Sequence, residues 1–218
     1  ENMRLTVSIS REELKGIILE LIQKNGLLDS GIKMILTGGY SADGYEIATP
    51  NFIITQHKLT MPASNVLEKG VKIITHEYVR DIPHVKTINY TMGIWLQSKV
   101  KEQQAYDVLY HINGHVSEFP RCNLFIVLHD ETVITPAERV LHGITRKNIL
   151  SLSNKEVIVQ EGNVTLTDVL NAREVFLTST TKRIVPIVQV DDKVIGRGKP
   201  GIITLTLLEE LIGLERGQ

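Results

Sequence analysis

The sequence predicts an α+β fold. Helix-period and strand-period segments follow one another without regular strand–helix alternation. Asn113-Gly114 sits between two strand-like runs and is the strongest short hairpin signal in the chain. Amphipathic helical patterns open and close the sequence. The first helix is marked by Ser10 and Glu13, spaced so that hydroxyl and carboxylate each take an orphan backbone donor. Leu14, Ile17, Ile18, Leu21 and Ile22 recur at helical spacing, and Gly26 offers a C-terminal stop. Strands are expected over 32–36, 51–55 and 71–75, with a glycine-rich loop at 38–45 that holds Tyr40. The first part therefore reads as a helix on an antiparallel sheet.

Pro83 breaks the pattern and favours an extended connector. Three segments follow: a small α+β domain over 1–80, a connector over 81–87, and a larger domain over 88–218. The larger domain opens with an expected helix from about 88 to 102, with Ile94 and Trp95 on its apolar side. Residues 106–112 pair with 115–118 through the hairpin, and strands at 124–128 and 132–134 extend the meander. A helix is expected over 143–152. More strands are expected at 157–161, 175–178 and 184–190, then a turn at Asp191-Asp192 and a closing helix over 201–214.

The 218 residues suffice for one large domain or two small ones. Net charge is −1 and no basic stripe is present, which disfavours nucleic acid and anionic membrane as partners. No apolar run reaches membrane-spanning length. Cys122 has no partner for a disulfide, and no signal peptide is visible, so a cytoplasmic location is expected. The seven histidines lack the close pairing of a helical metal motif, and no metal site is expected. Cys122, flanked by Asn123, Leu124 and Phe125, fits a strand core better than a nucleophile.

Four stretches carry chemistry together. Lys86 lies at the end of the connector, between Val85 and Ile88, which suggest apolar surroundings. An imine-forming lysine needs partial burial or a nearby cation to spend time as a free amine. Tyr90 lies four residues on. Glu118 ends the hairpin and is the kind of carboxylate that keeps a pyridine nitrogen protonated. The run Leu141-His142-Gly143-Ile144-Thr145-Arg146 opens a helix whose free amides suit a phosphate. Thr178-Ser179-Thr180-Thr181 adds hydroxyls beside backbone amides. Singly, each has a plainer reading: a surface lysine, a solvated strand end, an ordinary helix start, a strand-end turn. In this order they make the parts of a pyridoxal phosphate site.

These segments resemble the class IV, fold type IV, pyridoxal-phosphate aminotransferases, which include branched-chain and D-amino-acid aminotransferases and aminodeoxychorismate lyase. The resemblance runs over about 10–214 and is most specific in Val85-Lys86-Thr87-Ile88-Asn89-Tyr90, in Glu118 with Asn123-Leu124-Phe125, in Leu141 to Arg146 and in Glu174 to Thr181. It implies a two-domain α+β enzyme whose larger domain is β-barrel-like. The family layout begins well ahead of Glu1 and there includes an arginine for the phosphate. The resemblance also implies roles. Lys86 binds pyridoxal 5'-phosphate covalently and shuttles a proton; Tyr90 bonds the ring oxygen and Glu118 the ring nitrogen; Leu141 packs on the ring face. Ile144, Thr145 and Thr180 take the phosphate, and Thr181 and Tyr40 lie toward the substrate. The implied activity moves an amino group between an amino acid and a 2-oxo acid, in a homodimer. Branched-chain or other apolar L-amino acids are favoured, because Gly38 stands where the D-amino-acid enzymes carry an arginine. Aminodeoxychorismate lyase is the alternative within the same chemistry. A non-catalytic member of the fold is the second, suggested by Pro120, by Arg183 and by the arginine not found.

Overall fold

The computed structural model describes residues 2–153 and 157–217, and the chain divides into two compact units, Glu1–Thr60 and Met61–Gln218. In the smaller unit, α1 (Arg11–Asn25) has the expected capping box between Ser10 and Glu13 and ends at Gly26 in the left-handed conformation. The strands β1 (Ser30–Thr37) and β2 (Asn51–Lys58) pair antiparallel. Gln56 ties them to the helix, its amide bonding Leu27 O and Ser30 Oγ while its carbonyl accepts from Asn25.

The larger unit starts with α2 (Ser64–Lys69) and β3 (Val71–Glu77). The sequence pattern groups the 71–75 strand with the residues before Arg80. In the structure β3 runs parallel to β4 (Val108–Ile112) on one side and to β10 (Arg183–Val190) on the other, so it belongs to the large sheet. Such partners lie too far along the chain for a strand pattern to announce them. The expected helix over 88–102 is two short helices, α3 (Thr91–Trp95) and α4 (Gln97–Glu102), meeting at Leu96. Their buried residues are Gly93, Leu96 and Val100, whereas Ile94 and Trp95 are exposed. The packed face is therefore one step round from the expected one.

The hairpin closes β4 onto β5 (His115–Val116), with Asn113 and Gly114 both at positive φ, the conformation their residue types favour. Next come β6 (Asn123–Val127), β7 (Val133–Pro136), α5 (Ile144–Ser151), β8 (Val159–Gly162), α6 (Leu166–Asn171), β9 (Glu174–Ser179), β11 (Lys193–Val194) after β10, and α7 (Ile202–Glu215). The mixed sheet has the order β5-β4-β3-β10-β9-β6-β7-β8, with β11 on β10, and curls into a half-barrel. Its central strands feed two cores by simple alternation. Leu124, Ile126, Val175, Leu177 and Val185 enter one, whereas Phe125, Val127, Phe176 and Ile184 enter the other. Phe125 and Phe176 are register partners and stack with centroids 5.1 Å apart. Ile203, Leu207, Leu208 and Leu211 of α7 and Ile149 of α5 close the second core. Both faces of β6 and β9 are thus covered, which fixes their ends rigidly at one rim. No helix among the described residues is long and apolar enough to cross a membrane.

Candidate active site

A cavity of about 310 Å³ opens at that rim, inside the larger unit. It lies at the lower end of the usual range for small-molecule sites, roughly 300–1,000 Å³. Lys86, Tyr90, Glu118, Leu141, Ile144, Thr145 and Thr180 all line it. The four separate stretches singled out by sequence therefore converge. One expected residue of the larger unit is not in the lining. Thr181 is exposed and is not among the lining residues, although Thr180 directly before it is. Tyr40 belongs to the smaller unit, where its side chain is 93% exposed.

Glu118 is held on both oxygens. Oε1 accepts from Arg80 Nε at 2.7 Å and Nη2 at 2.6 Å, and Oε2 accepts from the Leu141 amide at 2.9 Å. Its side chain is 5% exposed and that of Arg80 14%. Burial pushes the Glu118 carboxyl above the ordinary glutamate range, while the Leu141 amide, the Arg80 guanidinium and the Lys86 charge pull it back. All three opposing contacts favour the anion. Leu141 is pinned further, because its carbonyl accepts from Asn123 Nδ2 at 2.8 Å and from the Gly143 amide.

Lys86 lines the cavity but is exposed, and Ile88 beside it is exposed too, so the expected apolar surroundings are absent. What the structure supplies near the connector instead is a cation, Arg80, whose Nη1 donates to the carbonyl of Val85 at 3.1 Å.

At the phosphate end, α5 begins with Gly143 as an extended N-cap that has no side-chain cap. The amides of its first turn have no intrahelical acceptors, which leaves them free for an anion. A Cβ on Gly143 would fall 2.5 Å from Asn123 Oδ1, so any larger residue here would force the Asn123 side chain to shift. Thr178 Oγ1 and Ser179 Oγ, both in the lining residues, are buried without a hydrogen-bond partner. Buried polar groups are normally satisfied. Open amides and orphaned hydroxyls together fit an anion with several oxygens, as a phosphate ester has, and the amine and carboxylate fit the rest of pyridoxal phosphate.

Sequence reasoning missed Arg80, Asn123, Thr178 and Ser179 as individual contributors. The two hydroxyls lie inside the hydroxyl-rich run 178–181. Arg80 meets Glu118 across 38 residues and has no local signature. Arg183, a reason for a non-catalytic reading, pairs with Glu215 at 2.6 Å and is not in the lining. Among the described residues, no three His, Cys, Asp or Glu side chains group as a metal site would require. Cys122 is buried against the cavity, and burial pushes its thiol up, with Lys182 opposing. Less thiolate forms near neutral pH, so alkylation of Cys122 in the folded chain is expected at least about tenfold slower than after unfolding, read by mass spectrometry over time.

The class IV amino-transferase family model matches residues 2–190. A D-alanine aminotransferase of Listeria monocytogenes is 30% identical over 213 residues, covering 93% of this chain and 73% of the relative. A putative branched-chain-amino-acid aminotransferase of Methanocaldococcus jannaschii is 28% identical over 222 residues, covering 96% and 76%. Among solved structures, the branched-chain amino acid aminotransferase of Escherichia coli superposes with a TM-score of 0.87 at 26% identity, over 97% of this chain and 74% of that one. A putative 4-amino-4-deoxychorismate lyase of Legionella pneumophila shares the fold, with a TM-score of 0.85 at 24% identity, over 99% and 80%. With fold, cavity and sequence match in agreement, this chain belongs to the class IV aminotransferases, fold type IV, a family of enzymes whose members bind pyridoxal phosphate.

Proposed function

We propose that this chain binds pyridoxal 5'-phosphate at Lys86 and transfers an amino group between an amino acid and a 2-oxo acid, with branched-chain or other apolar L-amino acids preferred. One observation carries the reading: Lys86, Glu118, the N-terminus of α5 and two unpartnered hydroxyls line the same cavity. Bound there, the cofactor supplies an aldehyde that condenses with amines and a ring that withdraws electrons from the substrate α-carbon. The protein supplies position and protons. Lys86 Nζ would hold the cofactor and, once a substrate amine had taken its place, would serve as the base and acid that moves the α-proton. Glu118, held by Arg80 and the Leu141 amide, would keep a proton on the ring nitrogen. The Tyr90 hydroxyl would bond the ring oxygen, and Leu141 would pack against the ring. The amides of Ile144 and Thr145, with the hydroxyls of Thr145, Thr178, Ser179 and Thr180, take the phosphate. Thr181, directly after Thr180, is assigned to the substrate carboxylate. The family resemblance and the single cysteine favour a homodimer in a reducing cytosol.

Relatives named for D-alanine and for branched-chain amino acids are nearly equal in identity, so substrate is decided by assay. The purified chain, supplied with pyridoxal phosphate and 2-oxoglutarate, is expected to form glutamate from L-leucine faster than from D-alanine. Preference for D-alanine would reverse the stereochemical assignment. Pyruvate released from aminodeoxychorismate without an acceptor would make it a lyase. No turnover and no bound cofactor would leave a non-catalytic member of the fold.

A further inference from the structure

We infer that Arg80 is a positioning residue of this site, one guanidinium joining the Glu118 carboxylate to the connector that carries Lys86. The inference rests on the cofactor reading above and adds a residue to it. Arg80 spends its donors in two directions. Nε and Nη2 reach Glu118 Oε1, while Nη1 reaches Val85 O at 3.1 Å and Nη2 also reaches Pro83 O. Val85 is the residue immediately before Lys86. The backbone of the connector is otherwise held by short-range turns, Val85 N to Ile82 O and Tyr90 N to Ile88 O. A turn fixes local shape but not distance from the sheet. The guanidinium sets that distance, because its planar fork can serve a carboxylate and two carbonyls at once.

The same contact governs the charge of Glu118. The carboxylate is buried beside β4 and the loop before α5; Arg80 and Lys86 are the charged groups that act on it, and it in turn acts on Tyr110. Tyr90, Arg121, Cys122 and His142 complete the ionisable lining of the cavity. Arg80 is the one that makes hydrogen bonds to it. Removing one member of a buried pair leaves the other charge uncompensated. Without Arg80, Glu118 takes up a proton at higher pH, and a neutral carboxyl no longer holds the ring nitrogen charged. Amine and carboxylate are thus set by a single side chain, which touches neither the substrate nor the reacting atoms in this assignment.

The test titrates the full chain with pyridoxal phosphate across a pH series, as wild type, Arg80→Met and Arg80→Lys. Borohydride reduction and mass spectrometry then locate the attachment, and thermal melts check folding. Arg80→Met is expected to label at Lys86 but to bind at least about tenfold more weakly, the scale of a lost charge-assisted contact. The acid limb of its binding profile is expected to move up by about one pH unit, the usual size for a removed neighbouring charge. Arg80→Lys restores the charge without the fork, so its acid limb stays near wild type while its affinity remains reduced. Should Arg80→Met not fold, Arg80→Lys decides the matter, and wild-type affinity there overturns the assignment. Wild-type affinity and acid limb in a folded Arg80→Met overturn it as well, leaving the cofactor reading intact. A wild-type chain that takes no label at Lys86 overturns both.

Discussion

Replacing Lys86 with alanine is expected to lower amino-group transfer by about four to six orders of magnitude, the loss seen when a residue that acts as covalent carrier and proton shuttle is removed. The chain itself should stay folded. Lys86 is exposed at the cavity, so its truncation is expected to change stability by less than about 0.5 kcal/mol. Turnover of L-leucine with 2-oxoglutarate, measured beside a thermal melt, separates the two effects. A variant that melts like wild type yet still turns over at a wild-type rate would remove Lys86 from the reaction.

The largest expected effect on stability lies at a buried carboxylate remote from catalysis. Glu174 opens β9 and reaches the start of α7, which has Gly201 as N-cap and no side-chain cap of its own. Its carboxylate accepts from the amides of Ile203 and Thr204, at 3.3 and 2.8 Å, and from Thr204 Oγ1 at 2.7 Å. It caps the helix from 30 residues away and fixes the apolar face that closes the second core. Glu174→Ala strands those buried donors and is expected to cost about 3–4 kcal/mol in urea unfolding, at one to a few kcal/mol for each unpaired buried group. Glu174→Gln keeps an acceptor and should cost less. Gly201→Ala tests the same joint from the other side, since its Cβ would fall 1.8 Å from Glu174 Cδ. A Glu174→Ala chain as stable as wild type would mean that α7 is held by its apolar face alone.

Elements with local signals were legible in the sequence. The Ser10 cap and Gly26 stop, the Asn113-Gly114 hairpin and the glycine start of α5 all depend on residues within a few positions of one another, and all appear as expected. Helix α6 was missed although Thr165 and Asp168 form a capping box, because only six residues follow it. The buried face of α3 and α4 was misread because Ile94 and Trp95 are apolar in type, whereas the surface they lie on is settled by what packs below. Parallel pairing of β3 and the Arg80–Glu118 contact depend on distant partners and left no local mark. Candidate site residues were gathered through family resemblance more than through spacing. Their convergence on one cavity is a tertiary fact, and the absence of Thr181 from its lining and the exposure of Tyr40 in the smaller unit are tertiary facts too.

The most direct test is chemical. The purified chain is mixed with pyridoxal phosphate, reduced with borohydride, digested and mapped by mass spectrometry. The expected result is a stable phosphopyridoxyl adduct on Lys86, abolished by excess amino acid added before reduction. An adduct spread over surface lysines, or none at Lys86, would contradict the assignment of this cavity.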